Sequence, residues 1–322
     1  MTFAPSRKGS VVGAALGVAA AAGAAAFAYG SLVERNRFTI RHEFVPVLEP
    51  GSRQLTVLHL SDLHMAPWQT AKQDWVRALS VLEPDLIVNT GDNLGHPDAI
   101  DAVAHALEPF GGTPGVFVHG SNDYFGPSFK NPLAYFGAPS RHRATEPLDT
   151  ARLERVFEQQ FGWSNLNNNV ASMTVGGSNL EFFGTNDAHR NWDNLGALPG
   201  LIDGMREEES WHDISSTAVP IGVTHAPYQR VLNSFVTNGA EVIFAGHTHG
   251  GQVRIPGLPA LVTNCDVPRE QAQGLSVWHH AGRASYLNVS AGLGTSIYAP
   301  VRFSCPPEAV LVTLTAGDIG YS

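Results

Sequence analysis

Short apolar runs, rich in Val, Ile, Leu and Phe, recur along this chain, with stretches of helical spacing between several of them. The runs are bounded by Gly, Asn or Asp, which is typical of buried strands. The predicted strands are residues 55–60, 85–90, 115–119, 180–184, 220–224 and 241–245, and the predicted helices are residues 70–82, 98–107, 149–161 and 227–238. This alternation predicts an α/β fold with largely parallel sheets.

The size and charge of the chain limit what it can be. It has 322 residues, 43% of them apolar, which is enough for one large α/β domain or two ordinary ones. The net charge of −9 and the pI of about 5.8 argue against a nucleic-acid-binding protein with a general basic surface. Two cysteines, Cys265 and Cys305, form no disulfide framework and match no zinc spacing. We expect both to be small buried side chains.

Polar motifs follow the predicted strands, and active sites of α/β folds collect at the carboxyl ends of strands. The motifs are Ser61-Asp62-Leu63-His64, Gly91-Asp92, Gly120-Ser121-Asn122-Asp123, His225 and Gly246-His247-Thr248-His249-Gly250-Gly251. Carboxylate, imidazole and amide ligands without thiolate suit Mn, Fe, Zn or Mg. Taken singly, each motif also fits a helix cap, a turn or a surface histidine. Together they predict a two-metal hydrolase.

The order of these motifs resembles that of the calcineurin-like metallophosphoesterase superfamily, whose signature runs Asp-x-His, Gly-Asp, Gly-Asn-His-Asp/Glu, a single His and Gly-His-x-His. The resemblance extends over residues 54–314. It implies an α/β sandwich of two packed mixed β-sheets flanked by helices, and hydrolysis by a hydroxide that bridges two divalent ions. By the same resemblance, one ion is held by Asp62, His64, Asp92 and His249. The other is held by Asp92, an amide, His225 and His247.

The third motif departs from the family pattern. Aligning Gly120 and Asp123 with the signature places Ser121 where the metal-binding Asn is expected and Asn122 where the catalytic His is expected. Shifting the alignment by one residue instead makes Asn122 the ligand and places Asp123 at the position of the catalytic His. We expect Asn122 to be the ligand, because an amide oxygen suits a hard cation better than a hydroxyl does. Acid assistance of the kind a catalytic His supplies is worth roughly 10²–10⁴-fold. The candidate catalytic residues are therefore Asn122, Asp123 and His189, and we expect a slower enzyme or one that prefers good leaving groups.

Residues 1–37 are predicted to form a separate N-terminal segment, and residues 38–322 the phosphoesterase domain. Residues 10–33 carry no charge, follow Arg7 and Lys8, and are long enough to cross a bilayer. The small residues Ala26-Phe27-Ala28 leave a cleaved export signal as the alternative. The apolar segment and the extended closing motif look most like the membrane-anchored branch of the superfamily, which includes enzymes similar to UDP-2,3-diacylglucosamine pyrophosphatases. Basic residues flank both ends of the segment, and we expect an extracytoplasmic domain.

The sequence leaves the substrate open. A phosphodiester, a phosphomonoester or a pyrophosphate bond is expected, in a small molecule or a phospholipid-like substrate near a membrane. The stretch between Pro127 and Pro147 carries Lys130, Arg141, His142 and Arg143, and it is interpreted as either an anion-binding overhang or an ordinary surface loop. The alternative function is a catalytically degenerate envelope module that binds metal or phosphate without turnover.

Overall fold

The computed structural model describes residues 7–127, 146–208 and 218–317, and the fold consists of two six-stranded sheets flanked by helices. The strands are β1 Thr39–Leu48, β2 Leu55–Leu60, β3 Leu86–Asn89, β4 Gly115–Phe117, β5 Ser164–Asn165, β6 Val170–Val175, β7 Ser178–Gly184, β8 Val219–Val223, β9 Val242–Ala245, β10 Gly274–His280, β11 Arg283–Val289 and β12 Glu308–Ala316. The α-helices are α1 Arg7–Leu32, α2 Thr70–Ala78, α3 Ile100–Leu107, α4 Ser121–Tyr124, α5 Thr150–Arg155, α6 Leu198–Glu208 and α7 Gln229–Thr237. Most of the basic stretch between Pro127 and Pro147 lies outside the described residues.

Both sheets are mixed, as the resemblance to the superfamily implies. The first has the strand order β1-β12-β2-β3-β4-β5, and the second has the order β10-β11-β9-β8-β7-β6. Parallel pairing dominates the middle of each sheet, but β12 pairs antiparallel with β2, β10 with β11, and β6 with β7. The expectation of largely parallel sheets is therefore right for the central strands and for the edge strand β5. It is wrong where the hairpins β10–β11 and β6–β7 and the C-terminal strand β12 complete the sheets.

Apolar side chains form three layers, because the central strands are buried on both faces. Val57 of β2, Phe182 of β7 and Phe244 of β9 meet between the two sheets. Leu58, the next residue along β2, points the other way and packs against the layer that contains α2 and α3. Ile243 of β9 likewise faces α7. This alternation along single strands produces a helix–sheet–sheet–helix sandwich.

The predicted strands and helices all occur, and their ends differ by no more than a few residues once the 3-10 turn Leu79–Leu82 that continues α2 and the π-helical turn Val156–Gln160 that continues α5 are included. Several elements were not predicted: β1, β5, β6, β10, β11, β12, α4 and α6. The outer strands β1 and β10 have mostly exposed or half-buried side chains, so neither presents the apolar run on which the prediction depended. β1 also pairs in parallel with β12 along its whole length, from Thr39↔Glu308 to Leu48↔Ala316. The folded domain therefore begins well before residue 54.

Helix α1 ends against the domain. The backbone amide of Arg302 donates to the carbonyl of Gly30 at 3.1 Å, and the backbone amide of Cys305 donates to the Glu34 carboxylate at 2.7 Å. Among the described residues, Ala15–Asn36 is the one helical stretch long and apolar enough to cross a membrane, judged by length and composition, and a signal sequence meets the same criterion. This stretch is almost entirely exposed in the chain. Of the cysteines, Cys305 is buried, Cys265 is half-buried and both are free.

Candidate metal centre

The polar motifs converge because the loops that follow the central strands hydrogen-bond to one another. The amide of Asp62 donates to the carbonyl of Gly91 at 2.9 Å, and the amide of His64 donates to the carbonyl of Asp92 at 2.9 Å. Across the gap between the sheets, the amide of His247 donates to Asp62 Oδ2 at 3.0 Å. Loops from both sheets therefore share one site at the carboxyl ends of their strands.

Five of the seven predicted ligands have left-handed backbone. The φ angles are +49° at Asp62, +38° at His64, +53° at Asp92, +68° at His247 and +48° at His249. Residues other than glycine rarely adopt this conformation, and such strain concentrates at active sites and ligand clamps. In this chain it turns the loops back at the strand ends, where the imidazoles and carboxylates converge.

Asp62 lies between two imidazoles in one half of the site. Its Oδ1 atom is 3.5 Å from His249 Nε2 and 4.0 Å from His64 Nε2, and the two Nε2 atoms are 3.2 Å apart. Oδ2 accepts hydrogen bonds from Ser61 Oγ at 2.6 Å and from the His247 amide. Oδ1 is buried and has no hydrogen-bond partner among the described residues, so it is left pointing at the two imidazoles.

Asp92 joins this half to the other. Its Oδ2 atom is 3.5 Å from His64 Nε2 and 3.5 Å from His225 Nε2, and His225 Nε2 is 3.2 Å from His247 Nδ1. Ligand atoms of Asp62, His64 and His249, and of Asp62, Asp92 and His225, each lie within 4.8 Å of one another. The Asp92 carboxylate is therefore positioned between the two halves of the site.

Backbone carbonyls orient the histidine rings. His225 Nδ1 donates to the carbonyl of Thr90 at 2.8 Å, which leaves Nε2 facing Asp92. His247 Nε2 donates to the carbonyl of Asn264 at 3.2 Å, which leaves Nδ1 facing the site. Hydrogen bonds of this kind fix the tautomer of metal-binding histidines. Buried Arg302 donates to the carbonyl of Gly294 at 2.8 Å and braces the backbone beside His249.

The electrostatics of the cluster favour neutral imidazoles at His64, His249 and His247, where burial lowers the pKa, and a charged imidazole at His225. Burial lowers the pKa of His64 to about 4 and that of His249 to about 3. Burial also opposes charge on His225, but nearby Asp92, Asp62 and Asp187 outweigh it and raise the pKa of His225 to about 9. Burial raises the pKa of Asp62, whereas His225, His64 and Asn122 outweigh burial at Asp92 and lower its pKa.

These residues fit divalent metal ions. The donor set is carboxylate and imidazole, an unpaired carboxylate oxygen points into the cluster, and outer hydrogen bonds present one ring nitrogen of each oriented histidine. Glycines also bring the backbone close: a Cβ at Gly246 would lie 2.6 Å from Asp62 Oδ2, and a Cβ at Gly120 would lie 2.7 Å from His225 Cε1. Hydrogen bonding alone does not require the backbone to come this close to the ligand side chains.

The family model for calcineurin-like phosphoesterases matches residues 55–251, the segment that carries all of these ligands. The chain belongs to the calcineurin-like phosphoesterase family. It is thus a metallophosphoesterase, a hydrolase of phosphoester bonds in a family that uses divalent metal ions.

The phosphoesterase is also similar to bacterial and mammalian proteins. It is 24% identical over 316 residues to the uncharacterized metallophosphoesterase YkuE of Bacillus subtilis strain 168, covering 95% of this chain and 94% of that protein. It is 25% identical over 241 residues to a transmembrane protein with a metallophosphoesterase domain from Bos taurus, covering 68% of this chain and 46% of that protein. The structure of Haemophilus influenzae NAD nucleotidase matches with a TM-score of 0.43 and 12% identity, over 75% of this chain and 46% of that one. The narrower resemblance to the UDP-2,3-diacylglucosamine pyrophosphatase branch stays a prediction.

Asn122 of the divergent third motif lies against Asp92. Its backbone amide donates to Asp92 Oδ1 at 2.9 Å, and its side-chain amide group is 2.6 Å from Asp92 Oδ2. A turn at Gly120 begins the short helix α4 and directs this side chain into the site. Asn122 is therefore close to the other six predicted ligands.

Asp123 is held by the backbone and lies beside the site. Its fully buried carboxylate accepts hydrogen bonds from the backbone amides of Asp92 at 2.8 Å, Asn93 at 2.7 Å, Leu94 at 3.2 Å and Gly120 at 3.1 Å. Both oxygens are occupied. This candidate catalytic residue therefore has the contacts of a carboxylate that holds loops in position.

His189 lies at the site beside His247, and their ring centroids are 4.6 Å apart. Its Nδ1 atom is 3.0 Å from the hydroxyl of Tyr228. Asp187, which the sequence analysis did not single out, is fully buried, and one of its oxygens accepts from the His189 amide at 2.8 Å. Burial raises the pKa of Asp187 to about 7. Like the predicted ligands, Asp187 follows a buried strand, β7, and this position could have identified it from the sequence.

Proposed function

We propose that this phosphoesterase hydrolyses its ester with two divalent ions, one held by Asp62, His64, Asp92 and His249 and the other by Asp92, Asn122, His225 and His247. The observation that carries the proposal is the position of Asp92 Oδ2, which lies 3.5 Å from an imidazole nitrogen of each half. A carboxylate that two metal ions share must lie between the other ligands of the two ions, and Asp92 has one imidazole on each side. Bound divalent ions would activate water and stabilise charge on the phosphoryl oxygens.

The residues of this chain divide the remaining tasks. Asn122 completes the second ligand set and holds the Asp92 carboxylate in place. His189 is the proton donor for the departing oxygen, because it is the imidazole that stands next to the ligand His247 without belonging to either ligand set. Its contact with Tyr228 fixes the ring. Asp123 takes no part in proton transfer in this scheme, because backbone amides occupy both of its oxygens.

The proposal is tested on the detergent-solubilised full chain with added Mn²⁺. We expect hydrolysis of an aryl phosphodiester or an aryl phosphomonoester, and about two metal ions per chain by mass spectrometry. Asp92→Asn is expected to abolish turnover and to lower the metal content. His189→Gln is the matched comparison, since it should keep the metal and lose rate chiefly on esters with poor leaving groups.

The alternative of a degenerate binding module makes the opposite prediction. Such a module would bind metal in the unmodified chain without hydrolysing either ester, and the double change Ser121→Asn with Asn122→His, which restores the family motif, would create activity. For an enzyme adapted to its own motif, the same double change is expected to lower activity. Turnover of the unmodified chain that is insensitive to Asp92→Asn would contradict both functions.

We further propose that α1 holds the domain at a membrane, on its extracytoplasmic side, where it acts on a phosphoester close to lipid head groups. The support is the apolar, exposed surface of α1 and its attachment to the domain through Gly30 and Glu34. A reporter fused after Ser322 that is active only outside the cytoplasm tests the orientation. Hydrolysis of a phospholipid-like ester in vesicles, compared between the full chain and a chain that begins at Tyr29, tests the role of the helix.

A further inference from the structure

Arg190 is a cation beside the metal centre that forms no ion pair with the described residues. It ends the short 3-10 helix Ala188–Arg190, and its Cζ atom lies 5.5 Å from the ring centroid of Phe125 and 5.9 Å from that of Trp192. Its Nε atom is buried and lacks a hydrogen-bond partner within the described part of the chain. A guanidinium in this state has donors available for another molecule.

The position of Arg190 ties it to the reaction centre. Phe125 follows the ligand Asn122 by three residues, and His189 immediately precedes Arg190. The guanidinium therefore lies between the loop of the third motif and the loop that brings His189 to His247. Burial lowers the pKa of Arg190, and the Asp92 carboxylate partly opposes that shift. Arg190 is also next to His189, whose ring centroid is 4.6 Å from that of the ligand His247.

A second arginine, Arg230 of α7, shows the contrast. Arg230 also lies over an aromatic ring, with Cζ 4.9 Å from the centroid of Tyr228. Its charge, however, is matched by Asp193, with Nη2–Oδ1 and Nε–Oδ2 distances of 2.6 and 3.1 Å. The chain supplies a carboxylate for Arg230 and none among the described residues for Arg190.

The segment around Arg190 is also held rigidly. Arg230 donates to the carbonyl of Ala188 at 2.7 Å, and Asn168 Nδ2 donates to the carbonyl of Trp192 at 2.8 Å. Asn191 turns the chain with a φ of +56° directly after Arg190. A preorganised cation that packs against two rings loses little conformational freedom when it binds an anion.

We propose that Arg190 binds an oxyanion of the substrate, with the rings of Phe125 and Trp192 forming the walls of this subsite. The guanidinium fork matches two oxygens of a phosphate group, and such charge-assisted pairs are among the strongest hydrogen bonds in proteins. The oxyanion is either the reacting phosphoryl group or a second phosphate attached to it. This inference rests on the proposed function, since it concerns the substrate of the same site.

The test measures ligand binding to the Mn²⁺-loaded full chain by calorimetry. The probes are orthophosphate, which has one phosphoryl group, and methylenediphosphonate, which has two and is not hydrolysed. The variants are Arg190→Gln, Arg190→Lys and the control Arg53→Gln, which removes an arginine paired with Asp85 at 2.9 Å. Arg190→Gln is expected to weaken binding of at least one probe by roughly 10- to 100-fold, Arg190→Lys to restore part of the loss, and metal content by mass spectrometry to stay unchanged.

The two probes separate the two sources of the oxyanion. An equal loss for both probes identifies the reacting phosphoryl group, and a loss confined to the diphosphonate identifies a second phosphate. Binding of both probes that is unchanged, or weakened no more than by Arg53→Gln, would overturn the proposal. Because binding requires no turnover, an unmodified chain that binds the probes but hydrolyses no ester would refute the proposed function and leave this inference standing.

Discussion

The carboxylate of Asp123 accepts a hydrogen bond from the backbone amide of Asp92 at 2.8 Å, so the third motif shapes the loop of the second. Three further backbone amides, those of Asn93, Leu94 and Gly120, donate to the same carboxylate. The left-handed turn at Asp92, with φ of +53°, therefore depends on a residue about thirty positions away along the chain. This arrangement holds the proposed shared ligand in its strained conformation.

Asp123→Asn should destabilise the protein and release metal together. The amide keeps the shape of the side chain but replaces one acceptor oxygen with a donor, which leaves buried backbone amides unpaired. We expect a loss of about 2 kcal/mol or more in the free energy of unfolding, measured by urea denaturation, with a lower metal content. Asp149→Asn, which affects one helix-capping bond at the surface, should cost about 1 kcal/mol or less. Unchanged stability and metal content with lost turnover would instead make Asp123 a catalytic group.

Gly246→Ala should disrupt the metal centre without removing a ligand. The added Cβ would collide with Ser61 Oγ and lie 2.6 Å from Asp62 Oδ2, so the carboxylate that faces His64 and His249 must move. We expect metal content measured by mass spectrometry to fall well below that of the unmodified chain. Gly204→Ala is the control, because this glycine lies in α6 with open space around it and Ala stabilises a helix interior by up to about 1 kcal/mol. Equal metal content in both variants would show that the site tolerates the displacement.

Truncation before Ser52 should prevent folding, whereas truncation before Tyr29 should not. The first removes β1 and exposes the edge of β12 along the whole register from Glu308 to Ala316. The second keeps β1 and the contacts of Gly30 and Glu34 with Arg302 and Cys305. Near-ultraviolet circular dichroism and urea midpoints distinguish the two chains. A cooperative transition in the chain that starts at Ser52 would refute this role for β1.

His119 should make stability depend on pH above neutrality. Burial opposes its charge, but Asp123 at 3.5 Å and Glu154 at 3.3 Å outweigh burial and raise the pKa of His119 to about 9. Because the folded-state pKa lies above the unfolded value of about 6.5, the stabilisation is complete below about pH 6.5 and is lost as pH rises through 9. The difference in free energy of unfolding between the unmodified chain and His119→Gln should therefore shrink from pH 6.5 to 9.5. His105→Gln, on the exposed end of α3, is the control, and a difference that does not vary with pH would contradict the ion pairing.

Much of the architecture follows from local sequence patterns. The central strands are buried on both faces and therefore present continuous apolar runs, as in β2 and β9, and the helices between them carry one apolar face. β1 and β10 lie at the sheet edges, where exposed polar side chains interrupt the pattern. The place of β1 is set by a distant partner, since it pairs with β12, almost 270 residues further along the chain.

The types of ligand and their order along the chain could be predicted from the sequence, because each ligand follows the end of an apolar strand. Only the tertiary structure decided how they face one another. The loop contacts that place Asp92 Oδ2 between His64 and His225 join residues far apart in sequence. Tertiary contacts also bring the backbone amides to the Asp123 carboxylate and bring His225 close enough to affect the pKa of Asp187. They leave Arg190 without an ion pair among the described residues. Local patterns record which side chains are present, whereas their protonation, strain and availability depend on neighbours that folding alone brings within a few ångströms.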